Sequence, residues 1–194
     1  MTRKIKTLVV VSIALILPLT WAACQATRAG YESPSYEVLY ENSPAYEIRR
    51  YPDMEVVATK THDHTGRDGS FMRLFCYIDK RNQGGQKIAM TTPVFMTDGE
   101  MQFVIPTKVA AARTPKPNNN EVTLKVVEGG IFVAMRFSDR TLSEEAATKL
   151  TNLLKKEQAQ TTGEPIFAYY DPPWTPAALR RNEVLLRIKN EPAR

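Results

Sequence analysis

Tyr46-Glu47-Ile48-Arg49-Arg50-Tyr51-Pro52-Asp53-Met54-Glu55-Val56-Val57-Ala58 decides the fold, because its outline occurs twice. Thr123-Leu124-Lys125 stands 76 residues after Glu47-Ile48-Arg49, and Gly129-Gly130 falls where Asp53-Met54 lies. Phe132-Val133-Ala134 then answers Val56-Val57-Ala58 at the same offset. Alternating and β-branched residues on both sides of a Pro-Asp or Gly-Gly break read as strand, turn, strand, so each copy is expected to form a hairpin. An offset held through three features points to an internal duplication.

A helix is predicted after each copy. Phe71, Leu74, Phe75 and Ile78 repeat at the spacing of one helical face, with Asp68 or Ser70 as its cap and Asn82 and Gly84-Gly85 after its end. In the second copy Thr141-Leu142-Ser143-Glu144 reads as a capping box, Ala146, Leu150, Leu153 and Leu154 as the buried face, and Lys155-Lys156 as the basic end. Leu74 and Leu150 are again 76 apart. Ile88 to Met96 with Met101 to Ile105, and Ile166 to Tyr170 with Val184 to Ile188, supply closing strands. Residues 107–120, rich in alanine, proline and asparagine, read as a flexible connection. The order ββαββ, repeated, is an α+β domain whose sheets curl together as a barrel with two helices outside. Its pseudo-repeat halves span about 36–106 and 121–190, within a domain of 36–190.

Toward the N-terminus, Tyr36 to Tyr40 reads as a further strand, and residues 24–35 as a tether. Before them come Arg3, Lys4 and Lys6, an apolar run from Leu8 to Leu19, and Ala22-Ala23 ahead of Cys24. That is the layout of a secretory signal, residues 1–23, and it predicts a periplasmic protein or a membrane-anchored lipoprotein of the cell envelope. Cys24 leaves two readings open. It is lipidated as the first mature residue, which would be the chain's sole attachment to membrane, or cleavage falls nearby, after Ala23 or Ala26.

Of 26 Lys and Arg, three sit in this segment, leaving 23 against 21 acids in the mature chain. A surplus of +2 with no long basic run argues against nucleic acid. With Cys24 cut away or lipidated, Cys76 has no disulfide partner, and its neighbours Phe75, Tyr77 and Ile78 suggest a buried thiol. Two cysteines with His62 and His64 give no zinc spacing, and no nucleophile elbow or phosphate loop is present. His62-Asp63-His64 beside Thr65-Gly66 reads as an exposed turn.

Two further stretches stand out: Lys87-Ile88-Ala89-Met90-Thr91-Thr92-Pro93-Val94, and Tyr170-Asp171-Pro172-Pro173-Trp174-Thr175-Pro176 followed by Arg180-Arg181-Asn182-Glu183-Val184. With Tyr46-Glu47-Ile48-Arg49 and Arg73-Leu74-Phe75-Cys76-Tyr77-Ile78, they resemble the SOUL family of haem-binding proteins, from about Tyr36 to Lys189. The resemblance implies a duplicated, distorted eight-stranded barrel flanked by two helices, an architecture similar to the effector-binding domains of multidrug-responsive transcription activators. It implies non-enzymatic binding of haem, a related tetrapyrrole or another amphipathic small molecule, in a groove beside the first helix and the loop near the C-terminal motif.

Those places hold Phe71, Phe75 and Trp174, with Arg180 and Arg181 as candidates for carboxylates. Each has an alternative role. Phe71 and Phe75 belong to the helix's core stripe, and Arg180-Arg181-Asn182-Glu183 could be an ion-pair network holding the last strand. Members that ligate haem iron by histidine carry it where Arg50 stands here, and arginine has no lone pair to donate. The axial ligand is therefore not identifiable, with His62, His64, Met72 and Met90 as weak substitutes. The alternatives are a general small-molecule sequestering module without iron ligation, and a hydrolase using Glu183 as base. The hydrolase requires a cavity-facing carboxyl whose pKa is raised.

Overall fold

The computed structural model describes residues 30–42, 45–62, 68–172 and 174–189. The signal, Cys24 and His64 lie outside the described residues. The elements in chain order are β1 (Glu37–Asn42), β2 (Tyr46–Tyr51), β3 (Met54–Lys60), α1 (Ser70–Ile78), β4 (Val94–Thr97) and β5 (Glu100–Val104). There follow α2 (Thr107–Ala111), β6 (Thr123–Val127), β7 (Gly130–Phe137), α3 (Ser143–Lys156), β8 (Thr161–Tyr169) and β9 (Asn182–Ile188). Short 3-10 turns at Arg140–Leu142 and Ala177–Leu179 precede α3 and β9. The connection after β5 thus opens with the short helix α2.

All nine strands form one antiparallel sheet in the order β1-β2-β7-β9-β8-β4-β5-β3-β6, ending at β1 and β6 without closing. Set β1 aside and exchange β2 with β6, β3 with β7, β4 with β8 and β5 with β9. The order then reads the same backwards, so the pseudo-two-fold passes between β4 and β8. The sheet is nonetheless curled: β2 and β4, four steps apart, both line one internal cavity of about 20 Å³, among Tyr51, Met54, Phe95, Phe132, Ile166 and Leu185.

The expected hairpins do not pair with themselves. β2 pairs with β7 (Glu47 opposite Ala134, Tyr51 opposite Gly130), and β3 with β6 (Met54 opposite Val127, Ala58 opposite Thr123). The two turns instead meet each other. The Gly129 N–H donates to Asp53 Oδ1 at 2.7 Å, and a Cβ on Gly129 would lie 2.4 Å from the Tyr51 carbonyl oxygen. Exchanging partners joins the two halves into one sheet, where two separate hairpins would each leave an apolar face uncovered.

Strand alternation sorts the side chains onto two faces. The outer face carries both helices. α3 covers Ile48, Val133, Val184 and Leu186, while α1 covers Val57 and Phe103. Tyr51, Val56, Phe95, Phe132, Ala168 and Leu185 fill the inner face, whose cavity has room for about one water.

α1 begins where Asp68 Oδ1 accepts from the Ser70 N–H (3.0 Å) and hydroxyl (2.6 Å). Its buried residues are Ser70, Leu74, Tyr77 and Ile78. The helix is rolled relative to the predicted stripe, because the Tyr77 hydroxyl donates to the Pro115 carbonyl at 2.7 Å and draws that side inward. Phe71 and Phe75 stay 46% and 41% exposed. At α3 the expected capping box is replaced by a 3-10 turn, with Asp139 Oδ1 accepting from the Thr141 N–H at 3.0 Å.

Gly129→Ala places its methyl group against backbone that cannot retreat. A loss of about 1–3 kcal/mol is expected, a fall in Tm of several degrees in a thermal melt followed by circular dichroism. Gly84→Ala meets a positive φ, 98°, but has no atom within 4 Å of the added carbon. It should therefore cost less.

Candidate functional site

Across the outer face, register aligns Phe103 of β5, Val94 of β4 and Tyr169 of β8 in one row. Strand spacing makes that row about 10 Å long. Both ends are roofed. Phe71 of α1 meets the Phe103 ring edge-to-face at 5.5 Å and stacks with Phe75 at 6.1 Å. At the far end the Arg140 guanidinium sits 4.2 Å from the centroid of the Tyr169 ring. Between them Val94 is only half-buried, as are Met90 and Met96 on the α1 side. The result is a shallow apolar saddle astride the pseudo-two-fold, walled by aromatic rings at one end and by a cation at the other.

Beyond Tyr169 the chain enters the loop that carries Trp174, which is 83% exposed. Arg180 holds this loop, its Nε donating to the Thr175 carbonyl at 2.6 Å. Arg181 turns inward, lying 2.8 Å from Glu183 and over the Tyr170 ring at 4.2 Å. Glu183, on the inner face of β9, is 0% exposed and is met by Arg49 of β2 through two bonds, at 2.6 and 3.0 Å. The Tyr170 hydroxyl donates to it at 3.0 Å, and Tyr36 covers the Arg49 guanidinium at 4.4 Å.

Burial alone would raise the Glu183 carboxyl. The hydrogen bond and charge of Arg49, and then those of Arg181, outweigh it and hold the carboxyl below the usual carboxylate range. Burial pushes Tyr51 up to about 12, and Tyr170, buried beside Glu183, well above its ordinary value. The raised carboxyl that hydrolysis by Glu183 requires is the reverse of what this network produces.

The remaining candidates lie elsewhere. Arg50 points to the outer face and pairs with Glu37 of β1 at 2.7 Å. A groove of about 340 Å³ runs along the other flank of α1, bounded by Met72, Arg73, Cys76 and Arg81 and by residues 117–119 of the following loop. Cys76 is thus half-buried at a groove wall. His62 lines an adjoining depression with Lys60 and Arg73, and its Nδ1 lies 3.2 Å from the Thr61 hydroxyl. Among the described residues no cluster of His, Cys, Asp or Glu could hold a metal ion. Sequence reasoning had no means of finding Arg140, since only the fold brings it over Tyr169.

Two ββαββ halves curled round a filled core, with helices on the outer face, define an α+β domain. The chain belongs to the SOUL heme-binding protein family, whose model matches residues 31–187. The C-terminal domain of EcmrR is similar in structure: TM-score 0.51, 15% identity, 80% of this chain and 99% of that one. A hydrolase from Listeria innocua gives 0.51 at 16% identity over 77% and 94%, and an uncharacterized conserved protein from the same organism 0.52 at 15% over 75% and 92%. At such identities the likeness is one of fold. No curated protein sequence matches the chain.

Arg49→Met removes one of the cations that answer the buried Glu183 carboxylate, and Glu183→Gln leaves Arg49 and Arg181 without their shared partner; each should cost about 3–5 kcal/mol in urea unfolding. The lowered Glu183 pKa adds stability that is fully present above the ordinary glutamate value, about 4.3, and is lost as pH falls through the folded value. Acid unfolding of the wild type should show this loss, and Glu183→Gln should flatten the profile there.

Proposed function

We propose that the chain binds haem or a related tetrapyrrole on the outer saddle, without catalysing a reaction on it. The half-buried row roofed by Phe71 and Phe75 carries this reading, because a flat macrocycle needs an apolar floor with a polar group at one edge. The inner cavity, about 20 Å³, is far too small for such a ligand. Phe71 and Phe75 supply contact from α1, and the exposed Trp174 is offered by the loop that Arg180 braces.

The family's haem binding supports the ligand class, and its residues here favour contact over coordination. Arg50 stands in place of the ligating histidine, and His62 lines the far flank of α1. Met90, half-buried beside the row, is the one candidate ligand among the described residues that the saddle itself offers. Sequestration of an amphipathic molecule without iron chemistry is accordingly the second reading.

The test is titration of the mature domain with haem and with iron-free protoporphyrin, followed by Soret absorbance and tryptophan quenching. Comparable saturable binding of both is expected, with Phe75→Ala weakening each several-fold. A large preference for haem, abolished by Met90→Leu, would replace contact by ligation. Saturable binding of neither would sink the proposal.

We further propose that this binding takes place outside the cytoplasm, with the tether 24–35 joining the domain to its export segment. Charge, apolar run and Ala22-Ala23-Cys24 in that order support this. Intact-mass measurement of protein from its native cells should show loss of residues 1–23, with or without acyl chains on Cys24. A chain that retains Met1 would count against it.

A further inference from the structure

We propose that Arg140 is the carboxylate anchor of the saddle and fixes the orientation in which a tetrapyrrole lies on it. This rests on the saddle being the binding surface. The three cations near its C-terminal end differ in what they already do. Arg181 is committed to buried Glu183, and Arg180 to the Thr175 carbonyl. Arg140 is exposed, and its partner is the face of the Tyr169 ring, which is itself buried.

Arginine uses its flat face on an aromatic ring and its in-plane N–H fork on a carboxylate, so the contact with Tyr169 does not consume the donors. Of the acids nearby, Glu144 lies within electrostatic reach of Tyr169. Asp139 accepts from the Thr141 N–H and lies in the field of Arg180, while Glu144 belongs to the first turn of α3.

The row is therefore polar in one direction: Phe71 and Phe75 over Phe103, Val94 between, Arg140 over Tyr169. A macrocycle with its carboxylates along one edge satisfies both ends in a single orientation. The carboxylate edge lies toward the start of α3 and the apolar edge against α1. The same ligand turned about would bury its carboxylates against phenylalanine rings, which is costly without a partner.

The mature chain is titrated with protoporphyrin and with its dimethyl ester, in which the charge is blocked. Arg140→Ala should weaken protoporphyrin about tenfold, the usual worth of a hydrogen bond to a charged group, and leave the ester within about twofold. Arg140→Lys should restore part of the loss. Equal loss of both ligands would assign Arg140 to packing on Tyr169, and no loss of either would leave it no role; each overturns the anchor alone. A wild type that binds neither porphyrin overturns the saddle, and the anchor with it.

Discussion

A carboxylate with no exposure to water has to be answered, and the way Glu183 is answered organises the inner half of this protein. Arg49 from β2 and Arg181 from the start of β9 converge on it, Arg136 of β7 stands 3.6 Å away, and the Tyr170 hydroxyl adds a further contact. β2 and β9 are separated by β7, so the Arg49 side chain reaches across a strand and ties the first half of the chain to the second. Tyr36, ahead of β1, closes over Arg49 and draws the N-terminal strand onto the same centre. Such a network need not be more stabilising than well-packed apolar side chains of the same volume, but it tolerates no missing member. It fixes which strands may meet, which packing alone does less strictly.

That network also decides where a ligand can go. With charges compensated and Phe95, Phe132 and Leu185 packed behind them, the inner face has no room to offer. The outer face is covered by α3 on one half and by α1 on the other, and the seam between β4 and β8 falls between the two helices. Duplication thus generates the saddle: two helices related by a pseudo-two-fold leave the strands at the axis least covered. The two ends then differ because the copies have diverged, Phe71 and Phe75 standing at one end and Arg140 over Tyr169 at the other.

The repeat was legible because side-chain periodicity and turn chemistry are local, and an offset of 76 residues survives divergence of the residues themselves. Strand pairing was not legible. Pro52-Asp53 and Gly129-Gly130 look like ordinary hairpin turns, and only their mutual contact, Gly129 on Asp53, shows that each turn closes against the other. The roll of α1 was hidden for a similar reason. Periodicity gives a stripe of Phe71, Leu74, Phe75 and Ile78, but the bond from Tyr77 to Pro115, 38 residues away, sets which edge of it faces the sheet. Arg180 and Arg181 were indistinguishable as neighbours in sequence, yet one braces a loop and the other is half of a buried ion pair. Family membership was legible through motif resemblance, while the location of the apolar floor required β4 and β8 to be adjacent.

On the proposed reading, arginine at position 50 changes what kind of binder this geometry makes. An axial bond adds directional energy to one end of a ligand; a saddle adds area, and Val94 at its centre is only half-buried. Binding that rests on area and one charged edge discriminates by shape and by the position of carboxylates, and it is indifferent to the metal at the middle of the ring. On the proposed reading, selectivity for a tetrapyrrole lies in the edge contacts rather than at the ring's centre.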